Sequence, residues 1–265
     1  MSLDLDKDYL KNQQYKSTNY LDSRIAIHKF NINKQSFFEW SWDQMSINAD
    51  LKILEVGCGP GTFWLDNKKK LSNSSSVLMT DFSEAMINKA RNNLTNDSRF
   101  TYEIADIDNL KYNNEEFDLV MAHFVLYHAL NKDIALSELR RVCNRSGRVS
   151  ITTNSEQHML NVYEIGKIID DNFPTDRNID TFTEEIADQM LPKYFSDIEK
   201  HVSLDYIRVD QIQLILDYVR SAIEPRKIKV ADDFYQKYAE LVGHDIENKG
   251  YFEIPKRSPI YLCKP

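Results

Sequence analysis

Apolar residues in this chain fall into short runs, each followed by a turn and then by a stretch of helical periodicity. Residues 51–55 read as an apolar strand that stops at Glu55, where a glycine-rich turn begins. Residues 77–81 form a second strand ending in an acid, 100–105 a third and 117–122 a fourth. The fourth is nearly continuous in apolar residues, as expected of a strand covered on both faces. Between them, Ile87, Ala90 and Leu94 recur at i, i+3 and i+7 behind Ser83, a good N-cap. Residues 131–142 place Ala135, Leu139 and Val142 on one helix face. Gly147 is expected to end that helix, with a fifth strand over 148–153. Strands alternating with helices in this way predict an open α/β sheet.

The flanks are less regular. Residues 1–50 are polar at first and then rich in aromatics, with Phe38, Trp42 and Met45 on one helical face. Beyond the fifth strand, 158–169 and 183–191 read as helices, the second ending at Pro192. A sixth strand follows over 203–209, and a helix over 211–223 stops before Pro225. A helix over 232–242 is expected to end at Gly243. Residues 251–263 read as a last strand broken by Pro255 and Pro259, which suits an edge or a hairpin.

Glycines at 57, 59 and 61 remove three Cβ atoms beside the first strand, so a ligand can approach bare backbone. Glu55, two places before the first glycine, suits a ligand that carries positive charge beside an adenosine. S-adenosylmethionine, with its ammonium and sulfonium groups, is such a ligand. A dinucleotide site is the competing reading, but its third glycine slot falls on Thr62. Asp81 follows Gly57 near the ~20-residue spacing expected for an acid on ribose hydroxyls. Phe82 is placed to cover an adenine face, and Asp106 sits where it can accept from an adenine amino group. His123 to His128 follow the fourth strand at its carboxyl end, the edge where ligands of open α/β sheets collect.

Five segments together carry a family resemblance. They are Leu54-Glu55-Val56-Gly57-Cys58-Gly59-Pro60-Gly61, Thr80-Asp81-Phe82-Ser83-Glu84-Ala85-Met86, Ala105-Asp106-Ile107, Phe117-Asp118-Leu119-Val120, and Glu138-Leu139-Arg140-Arg141-Val142 running to Gly147. In this order and spacing the chain resembles the class I S-adenosylmethionine-dependent methyltransferases. Leu126-Tyr127-His128 and His158-Met159 resemble a bacterial subgroup that acts on small molecules. The resemblance implies an α/β fold with a Rossmann-like, doubly wound, seven-stranded and mostly parallel sheet whose last strand is antiparallel. Helical cap and lid insertions would accompany it. It implies that Gly57, Gly59 and Gly61 bracket the methionine part of the cofactor. Cys58 stands in the same turn and, with no base beside it in sequence, reads as a small filler there, not a nucleophile. Asp81 would hold the ribose, while Asp106 and Ile107 read the adenine, with Phe82 and Met86 alongside. Tyr15 and Arg24 resemble an N-terminal pair set near the cofactor carboxylate, which a guanidinium fork suits. On this reading residues 1–50 are a helical cap and 51–153 the cofactor-binding core. Residues 154–200 are a lid, and 201–265 complete the sheet within one compact unit.

Composition narrows the acceptor. The net charge is −8, and Lys68-Lys69-Lys70 is the only basic run, so a nucleic-acid partner is disfavoured. Ala122-His123-Phe124-Val125 stands where methylases of base amines carry an Asn/Asp-Pro-Pro-aromatic element. No stretch approaches the ~18 apolar residues of a membrane span. The first ten residues hold three Asp and one Lys, unlike a signal peptide. Three scattered cysteines, at 58, 143 and 263, argue for a reducing cytoplasm, and metal-ligand spacing is absent.

A base is needed only where the nucleophile must lose a proton. His128, His123, His158 and Tyr127 are the candidates for that task or for orienting the acceptor. The expectation is therefore a cytoplasmic enzyme that moves a methyl group from S-adenosylmethionine to N or O of a small-molecule acceptor, leaving S-adenosylhomocysteine. The alternatives are a nicotinamide-dependent oxidoreductase and a module that binds the cofactor without turnover.

Overall fold

The structure, a computed structural model, describes residues 26–47, 49–174 and 181–265. The chain divides into two compact units whose boundaries cross the four spans drawn from the sequence. One, the sheet unit, comprises Gln35–Ser155, Ile179–Ser203 and Ser258–Pro265. The other, the helical unit, comprises Met1–Lys34, Glu156–Asn178 and Leu204–Arg257.

Seven strands form one sheet in the order β3-β2-β1-β4-β5-β7-β6. They are β1 Lys52–Val56, β2 Ser76–Asp81, β3 Phe100–Ile104, β4 Phe117–His123, β5 Cys143–Thr152, β6 Asp197–Val209 and β7 Phe252–Lys264. β1 pairs in parallel with β2 and β4, β3 with β2, and β5 with β4, while β7 runs antiparallel to β5. This is the mostly parallel sheet expected, with its last strand reversed.

Period-2 alternation divides the core of the sheet unit between two faces. Leu54 and Val56 of β1 pack with Leu136, Leu139 and Val142 of the helix Lys132–Val142. Ile53 packs on the other face with Trp42 and Met45 of α1 (Phe37–Met45), and with Phe63 and Trp64 of α2 (Thr62–Asn67). Ile87 and Ala90 of α3 (Glu84–Asn93) complete that layer. Helix α1 begins with a capping box, in which Ser36 Oγ accepts from Glu39 N and Glu39 Oε2 accepts from Ser36 N. The Lys132–Val142 helix, α4, is capped by Asn131, whose Oδ1 accepts from Ile134 N at 3.1 Å.

The helical unit packs α5 (Leu160–Ile169), α7 (Ile212–Ile223) and α8 (Phe234–Lys249) around Phe173, Phe234 and Tyr238. A seven-residue helix, α6 (Glu184–Met190), belongs to the sheet unit. Phe173 stacks on Phe234 at 5.4 Å, and Gly166 lets it sit there, since a Cβ would come within 2.4 Å of the Phe173 ring.

Four features differ from the sequence reading. Strand β6, expected over 203–209, already begins at Asp197. Helix α4 ends at Val142, and Gly147 lies inside β5 instead. The β4–β5 register shifts there, and a Cβ at Gly147 would stand 2.4 Å from the Asp118 carbonyl oxygen. Helix α8 runs through Gly243 to a left-handed cap at Gly250, because Tyr238 and Val242 are joined by Ile246 on one apolar face. Strand β7 is unbroken and lies between β5 and β6. Its pairing with β5 covers residues 260–263, so neither Pro255 nor Pro259 has to donate to that ladder.

Candidate functional site

β1 ends at Val56, and the chain turns through Gly57, Cys58, Pro60 and Gly61 into α2. The three glycines take φ of +73°, +52° and +77°, the left-handed region that side chains resist. Thr80, near the end of β2, fastens the start of the turn. Its carbonyl accepts from Gly57 N at 2.8 Å and Cys58 N at 2.9 Å, and its hydroxyl donates to the Glu55 carbonyl at 2.9 Å. Asn93 of α3 donates to the Pro60 carbonyl at 2.9 Å. Val125 presses on the turn from the β4 side, since a Cβ at Gly57 would lie 2.3 Å from its Cγ2. Nothing lies within 4 Å of a Cβ built at Gly59. The turn is held from beneath and open at its middle glycine.

Asp81 closes the other side. Its Oδ2 accepts from Gly59 N at 3.0 Å and its Oδ1 from Ser83 N at 2.8 Å. Ser83 stands at the N-cap of α3, but its own side chain makes no cap bond. Burial raises the Asp81 carboxyl above its usual range, opposed by those two amide bonds. Ala105 N donates to the Asp81 carbonyl at 3.1 Å, which brings Asp106 and the buried Ile107 beside the end of β2. Asp106 Oδ1 accepts from Asp108 N at 3.0 Å in a local turn. Phe82 is half-buried, Met86 is buried on α3, and Cys58 is buried within the turn, where burial pushes its thiol well up.

Glu55 is 3% exposed and points toward α2, where Trp64 Nε1 donates to its Oε2 at 2.7 Å. The sequence reading missed Trp64, although a tryptophan within the first turns of α2 was visible there. Burial pushes the Glu55 carboxyl up to about 8, with the indole bond opposing and the Asp81 charge adding to the rise. Among the described residues no Lys or Arg pairs with either acid. The proton on Glu55 is thus kept in the folded chain up to about pH 8, whereas unfolding restores a value near 4.5. Between those two values the native state holds the extra proton, and stability falls as pH rises. Melting temperature measured from pH 5 to 8 is expected to fall more steeply for the natural chain than for Glu55→Gln. Parallel curves for the two would refute the burial of this acid.

His123 ends β4 in the core. Its Nε2 lies 2.8 Å from Ser150 Oγ, its ring packs edge-on to Phe63 at 5.3 Å, and its Nδ1 has no hydrogen-bond partner. Burial lowers it to about 3, so it stays neutral. Phe124 follows with φ of +52°, an outlier for a bulky residue. It meets Phe37 at 5.2 Å and Phe38 at 6.3 Å, and Phe37 meets Trp40 at 5.4 Å. These four rings are half-buried and form a wall beside Val125. Tyr127 and His128 lie on the short 3-10 turn Leu126–His128, their rings 4.6 Å apart. His158 is buried in the helical unit, apart in the chain's division from the other candidates. Tyr15 and Arg24 lie outside the described residues. Among the described residues no group of three or more His, Cys, Asp or Glu could hold a metal. No helix there is long and apolar enough to cross a membrane.

Comparison with known proteins bears on the family and the fold. Residues 53–147 match the family described as "Methyltransferase domain". The chain is 30% identical over 109 residues to a ubiquinone/menaquinone biosynthesis C-methyltransferase of Burkholderia vietnamiensis, covering 41% of this chain and 45% of that protein. The counterpart from Hydrogenovibrio crunogenus is 30% identical over 102 residues, covering 37% and 40%. The chain thus spans less than half the length of these relatives. Among solved structures, a putative methyltransferase from Bacillus halodurans superposes with a TM-score of 0.60 at 15% identity, over 87% of this chain and all of that one. Phosphoethanolamine N-methyltransferase 2 of Haemonchus contortus, with S-adenosyl-L-methionine, gives 0.60 at 18%, over 98% and 60%.

Proposed function

We propose that residues 53–147, which match the family described as "Methyltransferase domain", form a class I S-adenosylmethionine-dependent methyltransferase core, and that the chain methylates a small organic acceptor at nitrogen or oxygen. The observation that carries this reading is the open main chain at Gly59, flanked by two buried acids that pair with no Lys or Arg among the described residues. A cationic nucleoside fits that combination, because an unbalanced acid is costly to ionise in the core and a bound cation offsets the cost. Asp81 would take the ribose hydroxyls, the amides of the turn the methionine part, and Phe82, Asp106 and Ile107 the adenine. When bound, S-adenosylmethionine supplies a methyl group already activated by its sulfonium.

The chain's own task is then to orient the acceptor and exclude water. The wall of Phe37, Phe38, Trp40 and Phe124 suits a ring-bearing, uncharged acceptor, held by offset and edge contacts. The acids of α1 are engaged elsewhere: Glu39 in the capping box, Asp43 with Lys70 at 3.1 Å. A cationic acceptor would find no carboxylate partner from that helix. His123, neutral and tied to Ser150, serves as a fixed hydrogen-bonding wall. Proton removal, where the acceptor is a hydroxyl, falls to Tyr127 or His128. The three cysteines are free and buried, which supports a reducing compartment such as the cytoplasm. The charge of −8 supports a partner other than nucleic acid.

Methylation at carbon is a second reading, favoured by the names of the relatives from Burkholderia and Hydrogenovibrio. Incubation with methyl-labelled cofactor and a panel of phenols, anilines and hydroxylated quinones separates the two, with the labelled atom located by NMR. Label on O or N is the expected result, at a rate reduced roughly tenfold by Phe124→Ala while S-adenosylhomocysteine affinity is kept. Label on carbon transfers the proposal to the second reading. Tight cofactor binding with no product from any acceptor would leave a binding module.

A further inference from the structure

The helical unit holds a cluster of polar groups that the chemistry above does not use. Lys256 lies on β7, with its side chain 12% exposed. Its ammonium donates to Asn31 Oδ1 at 3.0 Å. The carboxylate facing it, Asp205 Oδ2, stands at 4.0 Å, beyond hydrogen-bond reach. Asp205 is occupied on its other oxygen, where Oδ1 accepts from Asn33 N at 3.1 Å and Tyr206 N at 2.8 Å. An ammonium carries three donors, and this one is largely withdrawn from water while held by one neutral amide and a distant acid.

A second unmatched nitrogen stands on the turn that Asn31 closes. His28 Nδ1 is buried and has no hydrogen-bond partner. Its backbone carbonyl accepts from Asn31 N at 3.3 Å, so the residue that bonds Lys256 also fixes the turn carrying His28. That turn, Ile27–Phe30, is fastened to β6 by Ile32 N donating to the Tyr206 carbonyl at 2.8 Å and by a bridge between Asn31 and Ile207. Both sides of the cluster therefore rest on backbone pairing.

We propose that Lys256 and His28 form a receptor for the oxyanion group of a small molecule, a carboxylate or a phosphate. Such a group brings the acceptor oxygens that these nitrogens lack and the negative charge that Asp205 supplies only at 4.0 Å. The electrostatics agree: burial lowers Lys256, with Asp205 opposing, and burial followed by the Lys256 charge lowers His28 to about 3. A bound oxyanion would raise both.

The site stands on its own and does not depend on the methyltransferase reading. It is tested on the full chain at low ionic strength, by NMR of the Lys256 and His28 side-chain nitrogens during titration with inorganic phosphate and, separately, acetate. Saturable shifts at both residues are expected with at least one probe. Affinity should fall roughly tenfold or more in Lys256→Met and stay within about threefold in Lys256→Arg. His28→Leu gives an independent reading if Lys256→Met does not fold, and it too should weaken binding. The larger response distinguishes phosphate from carboxylate. No saturable shift with either probe, or equal affinity in the Lys256→Met or His28→Leu chain, would overturn the proposal. S-adenosylhomocysteine affinity, measured on the same samples, reports separately on the site in the sheet unit.

Discussion

Replacing Asp81 with alanine is expected to weaken S-adenosylhomocysteine binding roughly a hundredfold or more in calorimetry. The carboxylate does two things at once. It fixes the backbone of the glycine turn through Gly59 N and the start of α3 through Ser83 N. It is also the group assigned to the ribose. Charge-assisted bonds of this kind contribute about 1.5–3 kcal/mol each, and 1.4 kcal/mol is a tenfold change in affinity. Losing two such contacts to the ribose, with the Gly59 and Ser83 amides left without their acceptor, gives the expected factor. Asp81→Asn keeps an acceptor oxygen and should lose less. Affinity unchanged in the alanine variant would remove the ribose assignment, whatever became of the rest of the site.

Gly57→Ala should be the most damaging single methyl in the glycine turn. The new Cβ would stand 2.3 Å from Val125 Cγ2 and 2.7 Å from Val125 Cβ, on a backbone at φ +73°. Overpacking costs about 1–3 kcal/mol and left-handed strain about 1–2 kcal/mol. For a chain of this size a loss of that order lowers Tm by roughly 10 °C. Gly59→Ala is the control, because its φ is +52° but nothing lies within 4 Å of the added carbon. It should cost only the strain, yet intrude on the open face where ligand is proposed to sit. The pair therefore separates stability from binding: the first variant melts early, while the second melts nearly normally and binds cofactor weakly. Val125→Ala in the Gly57→Ala background should recover part of the loss, since Cγ2 is removed and Cβ at 2.7 Å remains. Equal Tm losses in the two glycine variants would contradict the packing described here.

Much of the core was legible because two periodicities coincide there. Apolar runs mark β1, β2 and β4, and the apolar face of α4 recurs at helical spacing, with each element ending near its expected turn residue. The glycine turn was legible from its spacing, and Asp81 from its place at the end of β2. What escaped the sequence depends on contacts between distant segments. Gly243 looks like a helix stop, but the face formed by Tyr238, Val242 and Ile246 carries α8 past it. Gly147 looks like a helix end, but its lack of a Cβ answers the approach of the Asp118 carbonyl on the neighbouring strand. Pro255 and Pro259 look like strand breakers, and only the register with β5 reveals that the ladder does not need their nitrogens. Trp64 illustrates the same limit at the site. Glu55 was legible as an acid beside the glycine turn, but the indole that reaches it from α2 was not. The pairing of Lys256 with Asn31 joins residues at opposite ends of the chain, and no local pattern announces it.

The bond from Trp64 to Glu55 also makes the protein its own optical reporter. An indole excited in the ultraviolet shifts its electron density between its two rings, so its emission colour responds to charge placed at the nitrogen. Here that nitrogen lies 2.7 Å from a carboxyl that burial holds protonated up to about pH 8, so the emission should shift as that proton leaves. The titration of Glu55 is thereby written into the fluorescence of an unlabelled chain.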